Sequence, residues 1–297
     1  MKVKFSDKSY YDLTEKTIRD LKTVYKNSLI DIEEDLKKLY KSFKGKKPSL
    51  VEGMKYDRLK TLKRNVLSDL NILNAEKIKR TQKLLTATYS DAYFKAGYDV
   101  QKQVGFVFDF DTINYPAVLE LIKNPIPDLS LGNVYGNQKQ QLMRKINLEI
   151  SQGLMQGIGY IAMADKISER LGVDFSAAKR TAWTEGHRVL QTARYDSLVK
   201  MEDEGLNGKK KWLATLDSRT RPTHQTADGQ ERKMKEYYNV GSARLMFPGD
   251  SNGGPAETIH CRCSELYIIN DEKPLTRRAG GETIEFKNYD EWKATIN

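Results

Sequence analysis

From Asp12 to Phe43 apolar side chains return every three or four positions, at Ile18, Leu21, Tyr25, Leu29, Ile32, Leu36, Leu39 and Phe43. That is the period of one helix face, so the segment is predicted as a single long amphipathic helix. Asp12 and Glu15 fit a capping box at its start, and Lys44-Gly-Lys-Lys-Pro48 supplies its stop. A second rhythm, Leu59, Leu62, Val66, Leu70 and Leu73, carries on toward Tyr98, so two long helices folding back on each other are expected over residues 1–104.

The pattern breaks between 105 and 137, where Asn114-Tyr-Pro116, Asn124-Pro-Ile-Pro127 and Gly132 read as turns of a connecting region. Helical character returns over 138–208, in Gln138–Gln156, in Tyr160–Leu171 stopped by Gly172, and from Ser176 to about Glu204. From 209 to 297 the texture changes. Trp212–Leu216 and Leu266–Ile269 read as short strands separated by a polar stretch rich in Gly, Asp and Asn. The expected class is α+β: mainly helical, with long N-terminal helices and a small C-terminal β-containing module. A module of that size commonly needs a metal or a partner to supplement its core.

Charge narrows the partners. Fifty Lys+Arg against 40 Asp+Glu give +10, and about +9 of this lies before residue 110, which suits a polyanionic neighbour such as DNA. Lys55, Arg58, Lys60, Lys63, Arg64, Lys79, Arg80 and Lys83 are the candidate phosphate contacts, although a solvated Lys-rich helix has the same composition. No helix-turn-helix pattern accompanies them, so contact would be sequence-blind. The start lacks a secretory signal and no apolar run spans a bilayer, so the chain is expected to be made and kept in cytoplasm with no membrane requirement. The only cysteines, Cys261 and Cys263, are too close in sequence for an easy disulfide.

The most specific text is Trp212-Leu-Ala-Thr-Leu-Asp217-Ser-Arg219-Thr-Arg221-Pro-Thr-His224, then Asp228-Gly229, Phe247-Pro-Gly-Asp250 and His260-Cys261-Arg262-Cys263. This order resembles the C-terminal signature of the phage Mu F-like minor head proteins. The resemblance extends to the Gly-rich junction at Gly153–Gly159, the helix carrying Thr184-Glu185, and the closing Tyr289-Asp-Glu-Trp292, so it covers roughly residues 135 to 297. Trp183 and His260 stand where that family commonly has Arg and Asn. The resemblance implies a few-copy protein of the capsid interior near the portal, acting in head assembly, DNA packaging or DNA ejection. Its partners would be the portal protein, with capsid or scaffolding proteins and packaged DNA beside it.

The residues themselves allow more than one chemistry. A Cys-x-Cys pair in extended backbone turns both sulfurs to one face and Arg262 to the other. With His224 as third donor the set suits a structural zinc, and Asp217, His187 or a bent His260 could complete it. Two buried strand cysteines without metal would carry the same pattern. Asp217, Arg219 and Arg221 either brace a turn or, with Arg262, face phosphate. Glu185 could reach Arg219, Trp212 and Trp183 suit a core, Asp228-Gly229 a hairpin turn, and Asp250 a contact loop.

The alternatives in function are a metal-dependent hydrolase or nuclease using Asp217, His224 and His260, and a free-standing non-specific DNA-binding protein. Modules of this kind occur joined to toxin domains, but the chain ends at Asn297, which leaves no space for one. The three histidines and the absence of a phosphate loop or a nucleophile elbow favour a non-enzyme.

Overall fold

Helix α1 runs from Lys8 to Lys41, starting a turn earlier than the apolar rhythm suggests. Asp12 and Glu15 therefore lie inside the helix rather than forming a cap, and the hydroxyl of Ser6 instead accepts from Lys8 N–H at 3.4 Å. The computed structural model describes residues 2–105, 108, 113, 115–123, 126, 129–215, 217–269, 278–279 and 282–283. Asn114, Asn124, Pro125, Pro127, Leu216 and the Tyr289-Asp-Glu-Trp292 segment lie outside the described residues.

A short helix α2 (Leu50–Met54) and a 3-10 turn follow, then α3 (Arg58–Val104), α4 (Tyr115–Ile122), α5 (Leu131–Gln156) and α6 (Tyr160–Asp203). Two expected breaks are absent. Gly132 sits in the first turn of α5, which Ser130 caps through Asn133 N–H, and Gly172 sits inside α6. A lone Gly costs a helix only about 1 kcal/mol relative to Ala. The buried Ile167, Leu171 and Ala178 keep the helix period on either side of Gly172. The junction between α5 and α6 does turn on glycine: Gly157 adopts φ +70, and Ile158 N–H reaches back to Gly153 O at 2.8 Å.

The chain forms two compact units, to both of which α1, α3 and α6 supply residues. One comprises Glu15–Lys83 and Asp128–Ala182. Its buried face takes Ile18, Leu21, Ile32 and Leu36 from α1 and Leu62, Val66, Leu70 and Leu73 from α3, as the two rhythms require. It also holds a polar network with no sequence signature. Lys77 and Asp174, 1% and 7% exposed, pair at 3.0 Å, and Tyr25 donates its hydroxyl to the same carboxylate oxygen. The Lys77 ammonium lies 5.0 Å from the centre of the Tyr135 ring, whose hydroxyl bonds Thr81 at 2.8 Å.

The other unit comprises Met1–Thr14, Leu84–Pro127 and Trp183–Asn297. Its main sheet has the order β1 (Lys2–Lys4), β6 (Ser264–Ile269), β2 (Gly208–Leu213), β3 (Glu231–Lys233), all neighbours antiparallel. The strand that opens the chain thus pairs with one near its other end, Val3 opposite Tyr267. Arg194 on α6 ties down the following turn by donating to Ser6 O at 3.1 Å and Asp7 Oδ1 at 2.5 Å. Between β2 and β3 stands helix α7 (Pro222–Ala227), so Asp228-Gly229 ends a helix instead of closing a two-residue hairpin. Gly229 still serves as a turn, with φ +78 and its N–H on Trp212 O. A β4–β5 hairpin (Tyr238–Val240, Ala243–Leu245), a 3-10 turn at Ser251–Gly253 and helix α8 (Gly254–Thr258) occupy the stretch expected as loop. A separate pair, β7 (Arg278–Ala279) and β8 (Glu282–Thr283), follows β6. No helix among the described residues is long and apolar enough to cross a membrane.

Candidate metal centre

The small module has its own core of Trp212, Ala227, Tyr238, Val240, Leu245, Cys261 and Cys263. Trp212 is fully buried, standing edge-on to Tyr238 at 5.2 Å and to the His224 ring at 5.7 Å. Pro222, in the first turn of α7, begins a helix that carries His224 inward, so this histidine sits on a helix and not in a turn-rich loop. The two cysteines come just before β6, after His260 has reversed the chain in a left-handed conformation, φ +57. Alternation then acts as expected, with Cys261 and Cys263 buried and Arg262 outward.

These elements bring His224, Cys261 and Cys263 together, every donor atom within 4.8 Å of the others. His224 Nδ1 lies 3.3 Å from Cys263 Sγ and 3.8 Å from Cys261 Sγ. Zinc bond lengths and a tetrahedral angle place sulfur and nitrogen donors about 3.6 Å apart, so the three side chains already stand near liganding distance. The electrostatics agree. The Cys263 thiol is brought down, chiefly by the hydrogen bond from Cys261, while Cys261 as donor is pushed up. A thiolate is the form that binds metal.

The three residues weighed as fourth donors are placed as follows. Asp217 is taken up by Arg262, whose Nη1 and Nη2 donate to its two oxygens at 2.6 and 2.7 Å, and by Arg219 N–H and the Thr220 hydroxyl at 3.0 and 3.1 Å. These contacts hold its carboxyl well below the usual range, the Arg262 hydrogen bonds contributing most. His187 lies on α6, where its Nε2 is buried. His260 shares with His224, Cys261 and Cys263 a cavity of about 10 Å³, room for roughly one water molecule. Among the described residues the donor cluster has three members.

The arginines serve the turn. Arg262 and Arg219 pair with Asp217, and Arg221 donates to Ile259 O. Glu185 pairs with Arg188 on its own helix at 3.0 Å, so the pairing with Arg219 expected from the sequence is not the one found. Asp228 accepts from Ala214 N–H at 2.8 Å, and Asp250 from Met246 and Asn252 N–H at 2.7 and 3.0 Å. Trp183 is half-buried against Tyr10 and Tyr11. Of the basic residues, Lys55, Lys60, Arg64, Lys79 and Lys83 are exposed, whereas Arg58, Lys63 and Arg80 are half-buried. Lys63 donates to Ser151 and Arg80 pairs with Glu76.

One participant was not singled out in the sequence. Glu257 on α8 places Oε2 2.9 Å from His224 Nε2, the nitrogen facing away from the sulfurs. Its only sequence signal is a position four residues before Cys261. Cys263, His224 and Glu257 in line also have the order of nucleophile, base and orienting acid. Cys263 is only 2% exposed and a second sulfur approaches the same nitrogen, so the geometry suits a donor set better than an attacking thiol.

Comparison with known proteins defines the class. The profile described as Phage Mu protein F like protein matches residues 144–266, a span that includes the second half of α5, all of α6, β2, α7 and both cysteines. Minor head protein GP7 of Bacillus phage SPP1 is 31% identical, over 97% of this chain and 95% of that protein. The chain therefore belongs to the phage Mu F-like minor head protein family. It is also 28% identical to the NAD(+)–arginine ADP-ribosyltransferase EFV of Enterococcus faecalis, over 94% of this chain but only 57% of that protein. No solved structure matches.

Proposed function

We propose that the chain is a portal-associated minor head protein of a tailed phage, located in the capsid interior and acting in head assembly and in the packaging or delivery of DNA. The observation that carries this is the near end-to-end match to a minor head protein, which spans both compact units. In this reading His224, Cys261 and Cys263 hold one structural zinc that staples α7 to the segment before β6, with water or His260 at the remaining position. A core of seven buried residues is small for an independent module, and a metal link offsets that deficit. The exposed Lys60, Arg64, Lys79 and Lys83 contact packaged double-stranded DNA through phosphates, without reading sequence.

Co-expression with the portal protein of the same phage, followed by size-exclusion chromatography, tests the assignment. A co-migrating complex, and heads that carry the protein only when portal is present, are expected. Heads that package and deliver DNA normally with the gene deleted would refute it.

The three-donor set supports a second reading, because catalytic zinc sites keep an open position while structural ones are closed by four ligands. A metal-dependent nuclease or hydrolase would then use that position, and metal-dependent cleavage of DNA that disappears in Cys263→Ser would establish it. For the transferase-named relative, we place its activity in the part of that protein this chain does not match.

A further inference from the structure

A histidine presents a lone pair to a metal on one ring nitrogen only, and the hydrogen bond at the other nitrogen selects which. We propose that Glu257 is a positioning residue that fixes His224 as the tautomer with its proton on Nε2 and its lone pair on Nδ1, aimed at the two sulfurs. The inference rests on the metal reading of the site and adds the group that orients its donor His224.

Three observations carry it. The carboxylate of Glu257 can only accept, and it sits 2.9 Å from Nε2, so Nε2 must be the donor of that bond. Nδ1 on the opposite side of the ring is then the free acceptor, 3.3 and 3.8 Å from Cys263 and Cys261 Sγ. The carboxylate is itself fixed, since the Thr223 hydroxyl, one residue before His224, donates to the same Oε2 at 2.9 Å. The β4–β5 turn closes over this pair at Gly241, φ +58, where a Cβ would lie 2.8 Å from Thr223 Cγ2 and 3.3 Å from Glu257 Oε1. Trp212 packs edge-on against the ring, so His224 is constrained from its face and from its far nitrogen together.

The test uses the full chain, with zinc affinity measured by chelator competition for wild type, Glu257→Gln and Glu257→Ala, and imidazole nitrogen and proton shifts read by NMR. An outer-shell carboxylate changes metal affinity about 10- to 100-fold. Glu257→Ala should therefore bind zinc 10- to 100-fold more weakly, with Glu257→Gln intermediate because its amide oxygen still accepts from Nε2–H. Zinc-loaded wild type should show a slowly exchanging Nε2 proton and a metal-shifted Nδ1, and Glu257→Ala should lose the slow exchange. If Glu257→Ala does not fold, Glu257→Gln alone carries the comparison, since it preserves shape and one hydrogen bond. Wild-type binding with both variants within twofold of it, or a proton found on Nδ1, overturns the role of Glu257 while leaving the metal site standing. Absence of zinc binding by wild type itself overturns the metal reading and this inference with it.

Discussion

Replacing Asp174 by Asn should be among the most damaging single-atom changes in the helical unit. Asp174 is 7% exposed and is, among the described residues, the ion-pair partner of Lys77, whose side chain is 1% exposed. Removing the charge leaves a buried ammonium uncompensated, which costs about 3 to 5 kcal/mol. Tyr25, which donates to the same carboxylate, would also trade its acceptor for a weaker one. Urea unfolding at 25 °C, followed by far-UV circular dichroism and tyrosine fluorescence, reads this directly. Burial already depresses the Lys77 pKa against the pull of Asp174, so without Asp174 the ammonium should release its proton more readily. A lysine with a lowered folded-state pKa loses stability as pH falls from its unfolded value, so the Asp174→Asn penalty should shrink between pH 7 and pH 10. The triple change Tyr25→Phe, Lys77→Met, Asp174→Leu removes the ion pair and the hydroxyl bonded to it at once and should lie within about 1 kcal/mol of wild type or above it. A penalty below 1 kcal/mol for Asp174→Asn, or a triple variant less stable than the single one, would refute the reasoning.

Asp69 is held up to about 6 by burial and by the nearby Asp31 and Asp35. Its raised pKa means stability present at low pH is lost as pH rises through 6, so Asp69→Asn should raise stability at pH 8 and leave it unchanged at pH 4. Because the side chain is half-buried and still partly screened by solvent, the gain should be only about 1 kcal/mol by denaturant titration. Gly208→Val should cost about 1 to 3 kcal/mol, since even a Cβ there would collide with Cζ and the hydroxyl of the buried Tyr267; a melt unchanged from wild type would contradict that. Trp212→Ala removes the largest side chain of the small core and should cost about 3 to 5 kcal/mol, with loss of near-UV dichroism; retention of both would show that the module does not depend on this ring.

What the sequence disclosed follows from the range of the physics involved. The rhythms Ile18–Phe43 and Leu59–Leu73 are local, and their residues are buried except for the half-buried Leu29. The α5–α6 junction was legible because Gly157 needs a left-handed backbone. Gly172 misled because a glycine stops a helix only where the chain turns there. Cys261, Cys263 and His224 were legible as a donor set from alternation and residue chemistry, and the structure brings them together across 39 positions. Glu257, the pairing of β1 with β6 and the Lys77–Asp174 pair were not, because each depends on a contact between residues far apart in the chain, and a single Glu, a three-residue strand or a lone Lys carries no period to read.

The metal content of the chain tests the central structural claim most directly. Protein purified without added metal, analysed by inductively coupled plasma mass spectrometry, should contain close to one zinc per chain, and a Cys261→Ser/Cys263→Ser variant should contain none and melt at a lower temperature. Metal-free wild type that melts at the same temperature as the double variant would contradict it, reducing Cys261 and Cys263 to ordinary buried residues of the small core.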